Sequence, residues 1–340
     1  MPRAITDGSE ESLSHSFPRH PSGSDAAVRL DEVTKQFGAH VAVSDLVLAI
    51  PRGSIYGLLG PNGSGKTTTL RMIMGILRPD RGSVTLLGED SNGSARQRVG
   101  YLPEERGVYK KMKVIEHLEF LGEIRGMTRA IARQRAMTWL ERLDLLKWAG
   151  KKVEDLSKGM QQKVQFIGTV LHDPELLILD EPFSGLDPIN QNVLEEIVRD
   201  FHARGTTIVF STHLMDQAER LCESVCLISR AEKVLDGDLR EIKRRERSGA
   251  VAVDYDGDDG WLNGPEVDAI ERTASGVRVR LRDGGDPQTL LQAALGAGVK
   301  IRRFEIVEPT LHEVFVRHVG GEAGAKAGLP SGYEGTGGEA

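Results

Sequence analysis

Residues Ser54-Ile-Tyr-Gly-Leu-Leu59 run directly into Gly60-Pro-Asn-Gly-Ser-Gly-Lys-Thr-Thr68. The first six form an apolar run of strand length; the rest is a glycine-rich turn opening a helix predicted over Thr67 to Ile76. A buried strand, a tight turn and a helix in that order aim backbone N–H groups and the positive helix end at one small volume. Such a volume favours phosphate. Gly60, Gly65, Lys66 and Thr67 stand at the spacing of a P-loop, in which glycines let the backbone wrap an anion, lysine reaches the terminal phosphates and threonine serves Mg²⁺. The candidate phosphate contacts are therefore Gly60, Pro61, Asn62, Gly63, Ser64, Gly65, Lys66, Thr67 and Thr68. A plain glycine turn meets the same spacing, so the reading needs partners elsewhere.

The chain has 340 residues, room for one large domain and a small one, and a net charge of -6. No long basic face outweighs that charge, which argues against nucleic acid as a partner. Two cysteines, Cys222 and Cys226, have no second Cys/His pair nearby and read as ordinary thiols of a reducing compartment. No signal-peptide core and no run near ~18 apolar residues is present. If the protein works on a membrane, another chain is expected to cross it.

Residues 1–26 are rich in Ser, Pro, Gly and mixed charge and read as a disordered tail. Alternating segments from Val28 and from His40 to Ile50 predict an antiparallel pair ahead of the phosphate-loop strand. Between them, Phe37 in Lys35-Gln-Phe-Gly38 is either a hairpin plug or a flat face for adenine. Strands follow at Ser83 to Leu87 and Val99 to Leu102, the latter ending at Pro103 and Glu104. Ile115, Leu118, Leu121 and Ile124 predict one face of a helix; further helices are expected from Arg129 to Leu146 and Lys158 to Leu171, an α-helical insert in an α/β core.

The core resumes at Leu176-Leu-Ile-Leu179, unbroken as in a strand buried on both faces, and ends in Asp180-Glu181. Acids at the carboxyl end of a central strand sit where open α/β sheets bind ligands. A helix with the stripe Ile189, Val193, Ile197 and Phe201 follows Ser184-Gly-Leu-Asp187, then a strand over Thr206 to Thr212 with His213 just past its end. A hairpin is read at Val225 to Ile228 and Lys233 to Leu235, then a basic helical link from Leu239 to Arg247, taken as a solvated face. A small α+β unit has strands at Val251 to Tyr255, Gly276 to Leu281 and Lys300 to Val307, helices near Gln288 to Leu295 and Pro309 to Val319, and no catalytic cluster. From Gly320 the chain reads as a flexible tail.

Leu156-Ser-Lys-Gly-Met-Gln-Gln162, opening a helix before the acidic strand, resembles the Leu-Ser-Gly-Gly-Gln signature of ABC ATPases. With it the P-loop, Glu181, Asp187 and His213 fall in that family's order over about residues 28–237. Tyr101-Leu-Pro-Glu-Glu-Arg-Gly107 and Val307-Glu-Pro-Thr-Leu-His-Glu-Val-Phe315 are similar to ATP-binding subunits of the sodium-extrusion and drug-resistance exporters. The resemblance implies an α/β fold: a P-loop ATPase core (27–237) with an antiparallel β subdomain and an α-helical subdomain, and an α+β C-terminal domain (238–319) before the 320–340 tail.

By the same resemblance, Phe37 stacks on the adenine of ATP and Gly60 to Thr68 cradle its phosphates, with Lys66 as charge partner. Thr67 and Asp180 hold Mg²⁺, Glu181 is general base, and His213 contacts the γ-phosphate. Ser157 and Gly159 meet a phosphate bound to the opposite subunit, so hydrolysis needs a homodimer, and Asp187 is a further nucleotide-site residue. ATP and Mg²⁺ are the expected ligands, a separate transmembrane permease the partner, and the cytoplasmic face of the cell membrane the location. The competing reading is a soluble ABC ATPase driving a cytosolic assembly. Two departures stand out. Glu104 replaces the family's Mg²⁺-sensing glutamine, and Lys158 and Met160 replace a signature glycine and glutamine.

Overall fold

In the computed structural model, which describes residues 26–323 except 92, 106, 247, 248, 274, 275 and 283, three β-sheets organise the chain. The stretch before 26 and the one from 324 onward, both read as tails, lie outside the described residues. The antiparallel pair is present as β1 (Ala26–Phe37) and β2 (His40–Pro51). Strand β3 (Ile55–Leu59) leads to α1 (Lys66–Ile73), which ends a turn earlier than its apolar residues suggest because the chain turns at Gly75, at φ +60°. Then β4 (Arg81–Leu86) and β5 (Glu89–Asp90) complete an antiparallel sheet of order β2-β1-β4-β5.

The central sheet takes β3, β6 (Val99–Leu102), β7 (Leu176–Asp180), β8 (Thr207–Thr212), β9 (Ser224–Ser229) and β10 (Glu232–Asp238), in the order β10-β9-β3-β8-β7-β6. All neighbours in it are parallel except β9 and β10. Every residue of β3 and β7 is buried, because alternate side chains enter two different cores. Tyr56, Leu58, Ile178 and Val209 pack with Leu70 and Ile73 of α1 and with Leu30 and Leu48 of the first sheet. Leu59, Leu177, Leu179, Ile208 and Phe210 face the helices on the other side.

Those helices are α2 (Val114–Ile124), α3 (Arg129–Arg142), α4 (Lys158–Val170) and α5 (Pro188–Ala203). Two predicted stripes are corrected. In α2, Ile124 is 61% exposed, while His117 and Glu119 are buried beside Ile115 and Leu118. Gly122 sets that rotation, since a Cβ there would lie 2.5 Å from Cβ of Ala132 in α3. In α5, Leu194, Ile197, Val198 and Phe201 are buried, and Ile189, in the first turn, is 76% exposed. Helix α6 (Met215–Leu221) follows β8.

The C-terminal unit begins with α7 (Leu239–Arg245), followed by β11 (Ala250–Asp256), β12 (Val267–Arg272), β13 (Gly276–Leu281), α8 (Pro287–Gly296), β14 (Lys300–Ile306) and α9 (Leu311–Ala323). Its antiparallel sheet has the order β12-β13-β11-β14. Edge strand β12 escapes the sequence pattern because most of its side chains are exposed. Helix α9 continues four residues into the stretch read as a tail, to Ala323. The basic link is more than a solvated face: Leu239 and Ile242 of α7, with Leu311 and Val314 of α9, are buried in the ATPase-side core. Glu219 of α6 pairs with Lys243 and accepts the N–H of Leu311 at 3.1 Å. Both cysteines are buried, which pushes their thiols up from the ordinary range. Among the described residues no helix is long and apolar enough to cross a membrane.

Candidate nucleotide site

Four parallel strands deliver the candidate residues to one sheet edge. Leu59 pairs with Thr212, Asp180 with Ser211, and Leu102 with Leu179, so the loops after β3, β8, β7 and β6 leave side by side. A pocket of about 500 Å³ opens there, lined by Phe37, His40, Ala42, Asn62, Gly63, Gly65, Lys66, Thr67, Thr68, Glu104 and Glu181. The β1–β2 hairpin supplies Phe37 and His40 as a facing pair. Phe37 is 49% exposed, with Lys35 Nζ 5.5 Å from its ring centre, so it does not plug the hairpin.

The loop wraps as tightly as glycine allows. Gly65 has φ +111°, and a Cβ there would lie 2.3 Å from the carbonyl of Ala42. At Gly60, φ +150°, a Cβ would meet the Ile228 carbonyl at 2.1 Å. Lys66 is buried and donates to the carbonyls of Gly60 at 2.7 Å and Pro61 at 3.1 Å, so these two residues cradle the lysine rather than line the pocket. Burial pushes the Lys66 ammonium below its ordinary value, while Glu181, Asp180 and Glu104 pull it back up. Ser64 is buried beneath the loop.

The two acids differ in environment. Asp180 is fully buried, takes the Ser211 hydroxyl on Oδ1 and has Thr67 Oγ1 3.3 Å from the same oxygen. Its Oδ2 has no hydrogen-bond partner among the described residues. Glu181, one residue on, has φ +48°, a left-handed conformation unusual for a side chain with a Cβ and of the kind found at functional sites. Its N–H faces the Ser211 carbonyl at 3.2 Å and hydroxyl at 3.3 Å, and its Oε1 lies 2.9 Å from Nδ1 of His213. Strained backbone thus turns Glu181 into the pocket while Asp180 stays beneath Thr67.

Ser157, Gly159 and Asp187 do not line this pocket. Ser157 caps α4, accepting the Met160 N–H at 3.3 Å, and Asp187 caps α5, accepting the Asn190 N–H at 3.0 Å. At Gly159 a Cβ would have only ordinary contacts, the nearest at 3.6 Å, so no neighbour within the chain demands glycine there. Sequence reasoning missed His40 and Ser211. His40 was findable from its place across the turn from Phe37; Ser211 acts through its hydrogen bond to Asp180, which no spacing displays.

Mg²⁺ fits this donor set. Among the described residues no three His, Cys, Asp or Glu side chains cluster as a metal cage, and Mg²⁺ is ordinarily held by one or two protein oxygens together with substrate phosphates. Thr67 Oγ1, the partnerless Asp180 Oδ2 and Glu104 are the oxygens available.

A sequence profile described as "ABC transporter" matches residues 43–184, and one described as the C-terminal domain of DrrA1-3-like ATP-binding proteins matches 237–319. An uncharacterized ABC transporter ATP-binding protein, YhaQ of Bacillus subtilis, is 45% identical over 86% of this chain and 98% of its own length. Nod factor export ATP-binding protein I of Cupriavidus pinatubonensis is 36% identical over 87% of this chain and 92% of its own. The dimeric post-hydrolysis structure of the ATP-binding cassette MJ0796 bound to ADP and Pi superposes with a TM-score of 0.59 at 25% identity, covering 63% of this chain and 99% of that one. With its phosphate loop and paired acids on one sheet edge, the chain belongs to the ABC transporter ATP-binding proteins and is an ATPase of that family.

Proposed function

We propose that this chain is the ATP-hydrolysing subunit of an exporter, working as a homodimer whose closure on ATP drives a separate membrane permease. The observation that carries the reading is the division of the site. The phosphate pocket of Lys66, Thr67 and Glu181 is built within one chain, whereas Ser157 and Gly159 stand outside it at the start of α4. A helix N-terminus presented away from its own pocket suits a phosphate held by a second copy. Export rests on likeness to the Nod factor export protein, and the cytoplasmic membrane face follows from the permease.

In the mechanism, Phe37 stacks on adenine and the backbone of Asn62 to Thr68 encloses the phosphates. Lys66 exchanges its bonds to the Gly60 and Pro61 carbonyls for phosphate oxygens. Thr67, Asp180 and Glu104 would hold Mg²⁺, which when bound offsets phosphate charge. Glu181 accepts the proton of the attacking water, and His213 keeps its carboxylate in place. Ser157 and Gly159 of the second copy close over the γ-phosphate.

The test mixes Lys66→Ala subunits with Ser157→Arg subunits, each inactive alone. Together they should regain up to roughly a quarter of wild-type activity, because about half of the dimers are mixed and each mixed dimer keeps one of its two composite sites intact. Full activity of Ser157→Arg alone would overturn the composite site. Export is checked by vesicle transport with the co-expressed permease, and a wild-type ATPase that no membrane partner stimulates would favour a cytosolic assembly.

A further inference from the structure

The side-chain amide of Gln165 donates to the carbonyl of Pro103 at 3.2 Å and of Glu105 at 3.1 Å. These residues flank Glu104, whose side chain lines the phosphate pocket and adds to the field at Lys66. A primary amide has two N–H donors, and here both hold backbone, one on either side of Glu104. Glu105 is turned the other way, its side chain 89% exposed and 3.8 Å from Arg71. One turn further along α4, Thr169 Oγ1 lies 3.4 Å from the carbonyl of Tyr101 in β6.

Gln165 is itself buried, and its Oε1 has no hydrogen-bond partner among the described residues. A buried acceptor left without a partner costs stability, so packing alone does not account for glutamine here. Its place on α4 gives an account. Ser157, which caps the same helix, lies about 12 Å away along the axis at 1.5 Å per residue. Any shift of α4 as Ser157 engages the second copy's phosphate moves the Gln165 amide, and with it the backbone of Glu104.

We infer that Gln165 is a positioning residue that ties Glu104 to α4, so that the carboxylate at a subunit's own pocket follows the engagement of that subunit's helix with its partner's nucleotide. The inference rests on the reading of Glu104 as a Mg²⁺-side group. It makes two composite sites interdependent through one side chain, a coupling carried by a hydrogen-bonded link between rigid elements.

The experiment uses full-length protein with ADP as probe, its affinity measured with Mg²⁺ and with EDTA, and tryptic nicking at the exposed Lys110 and Lys111 as a measure of loop order. Gln165→Ala, and Gln165→Met, which keeps the bulk without the donors, should nick about fivefold faster or more when each is digested well below its own melting temperature. Each should weaken ADP binding about fivefold with Mg²⁺ and leave the EDTA value at wild type. In a Glu104→Ala background, Gln165→Ala should add nothing to the Mg²⁺ effect. Unchanged nicking, equal losses with Mg²⁺ and EDTA, or full additivity with Glu104→Ala would each overturn the inference. Wild-type Mg²⁺ dependence of Glu104→Ala alone would instead remove the reading of Glu104, and the inference with it.

Discussion

Nδ1 of His213 lies 2.9 Å from Oε1 of Glu181, joining the end of β8 to the end of β7 at the phosphate pocket. An Nδ1–H donates to the carboxylate, and contact of Nε2 with a phosphate oxygen requires a proton on that nitrogen as well. The arrangement gives an orienting partner to a side chain whose backbone, at φ +48°, has no intrinsic preference for its position.

Glu181→Gln keeps the shape and removes the basicity. ATP binding should persist, turnover should fall by about 10² or more, and ATP-bound dimer should accumulate on size exclusion. His213→Ala should lose a comparable factor, and the double variant should be no slower than the slower single one, because residues acting as a unit are not additive. Phosphate-release assays give the three rates; wild-type turnover in Glu181→Gln would remove it as the base.

Phe37 offers an exposed ring at the pocket rim. Phe37→Ala should weaken ATP binding roughly tenfold, as expected for loss of one aromatic stack of about 1–2 kcal/mol, while Phe37→Trp should bind as well as wild type. Tripolyphosphate affinity should be the same in all three proteins, since the ring touches only the base. Equal ATP affinities by fluorescence titration would return Phe37 to the role of a hairpin residue.

The C-terminal unit is expected to be part of the folded core rather than a detachable appendage. Leu239, Ile242, Leu311 and Val314 fill the ATPase-side core, so a cut after Gly237 exposes Leu221 and Leu235, among the apolar residues of that same cluster. Leu311→Ala should cost about 2–4 kcal/mol in urea denaturation, with a single transition for the whole chain. Two separate transitions, or a stable truncated protein with wild-type melting, would show that the units fold apart.

Much of this site was legible in the sequence because its parts obey local rules. A phosphate loop needs glycine at Gly60 and Gly65 for steric reasons that also set their spacing, and the two-sided burial of β7 writes itself as an unbroken apolar run. What was not legible depends on partners distant along the chain. The rotation of α2 follows from Gly122 meeting Ala132, which exposes Ile124 and buries His117. Helices α7 and α9 read as accessory because their few buried residues, Leu239, Ile242, Leu311 and Val314, join a core built mostly by residues far earlier in the chain. Gln165 looks like any polar residue in a helix until its two carbonyl partners are seen.

His117 should make stability depend on pH. Its ring is buried in α2, neither nitrogen has a hydrogen-bond partner among the described residues, and burial pushes its pKa down to about 4. The folded protein therefore keeps the imidazole neutral where the unfolded chain, near the ordinary 6.5, takes up a proton. The contribution is fully present above 6.5 and is lost as pH falls toward about 4. His172, also lowered to about 4 chiefly by burial, adds in the same direction. His117→Phe keeps a ring beside Tyr109, whose centre lies 5.7 Å away, and removes the titration. Urea denaturation at about pH 7.5 and about pH 4.5 should show the variant gaining on wild type by about 2–3 kcal/mol between the two conditions. His117→Phe/His172→Phe should flatten the acid limb further. Parallel pH profiles for wild type and His117→Phe would mean that the ring is protonated in the folded state, and that the Tyr109 loop opens to let the charge reach water.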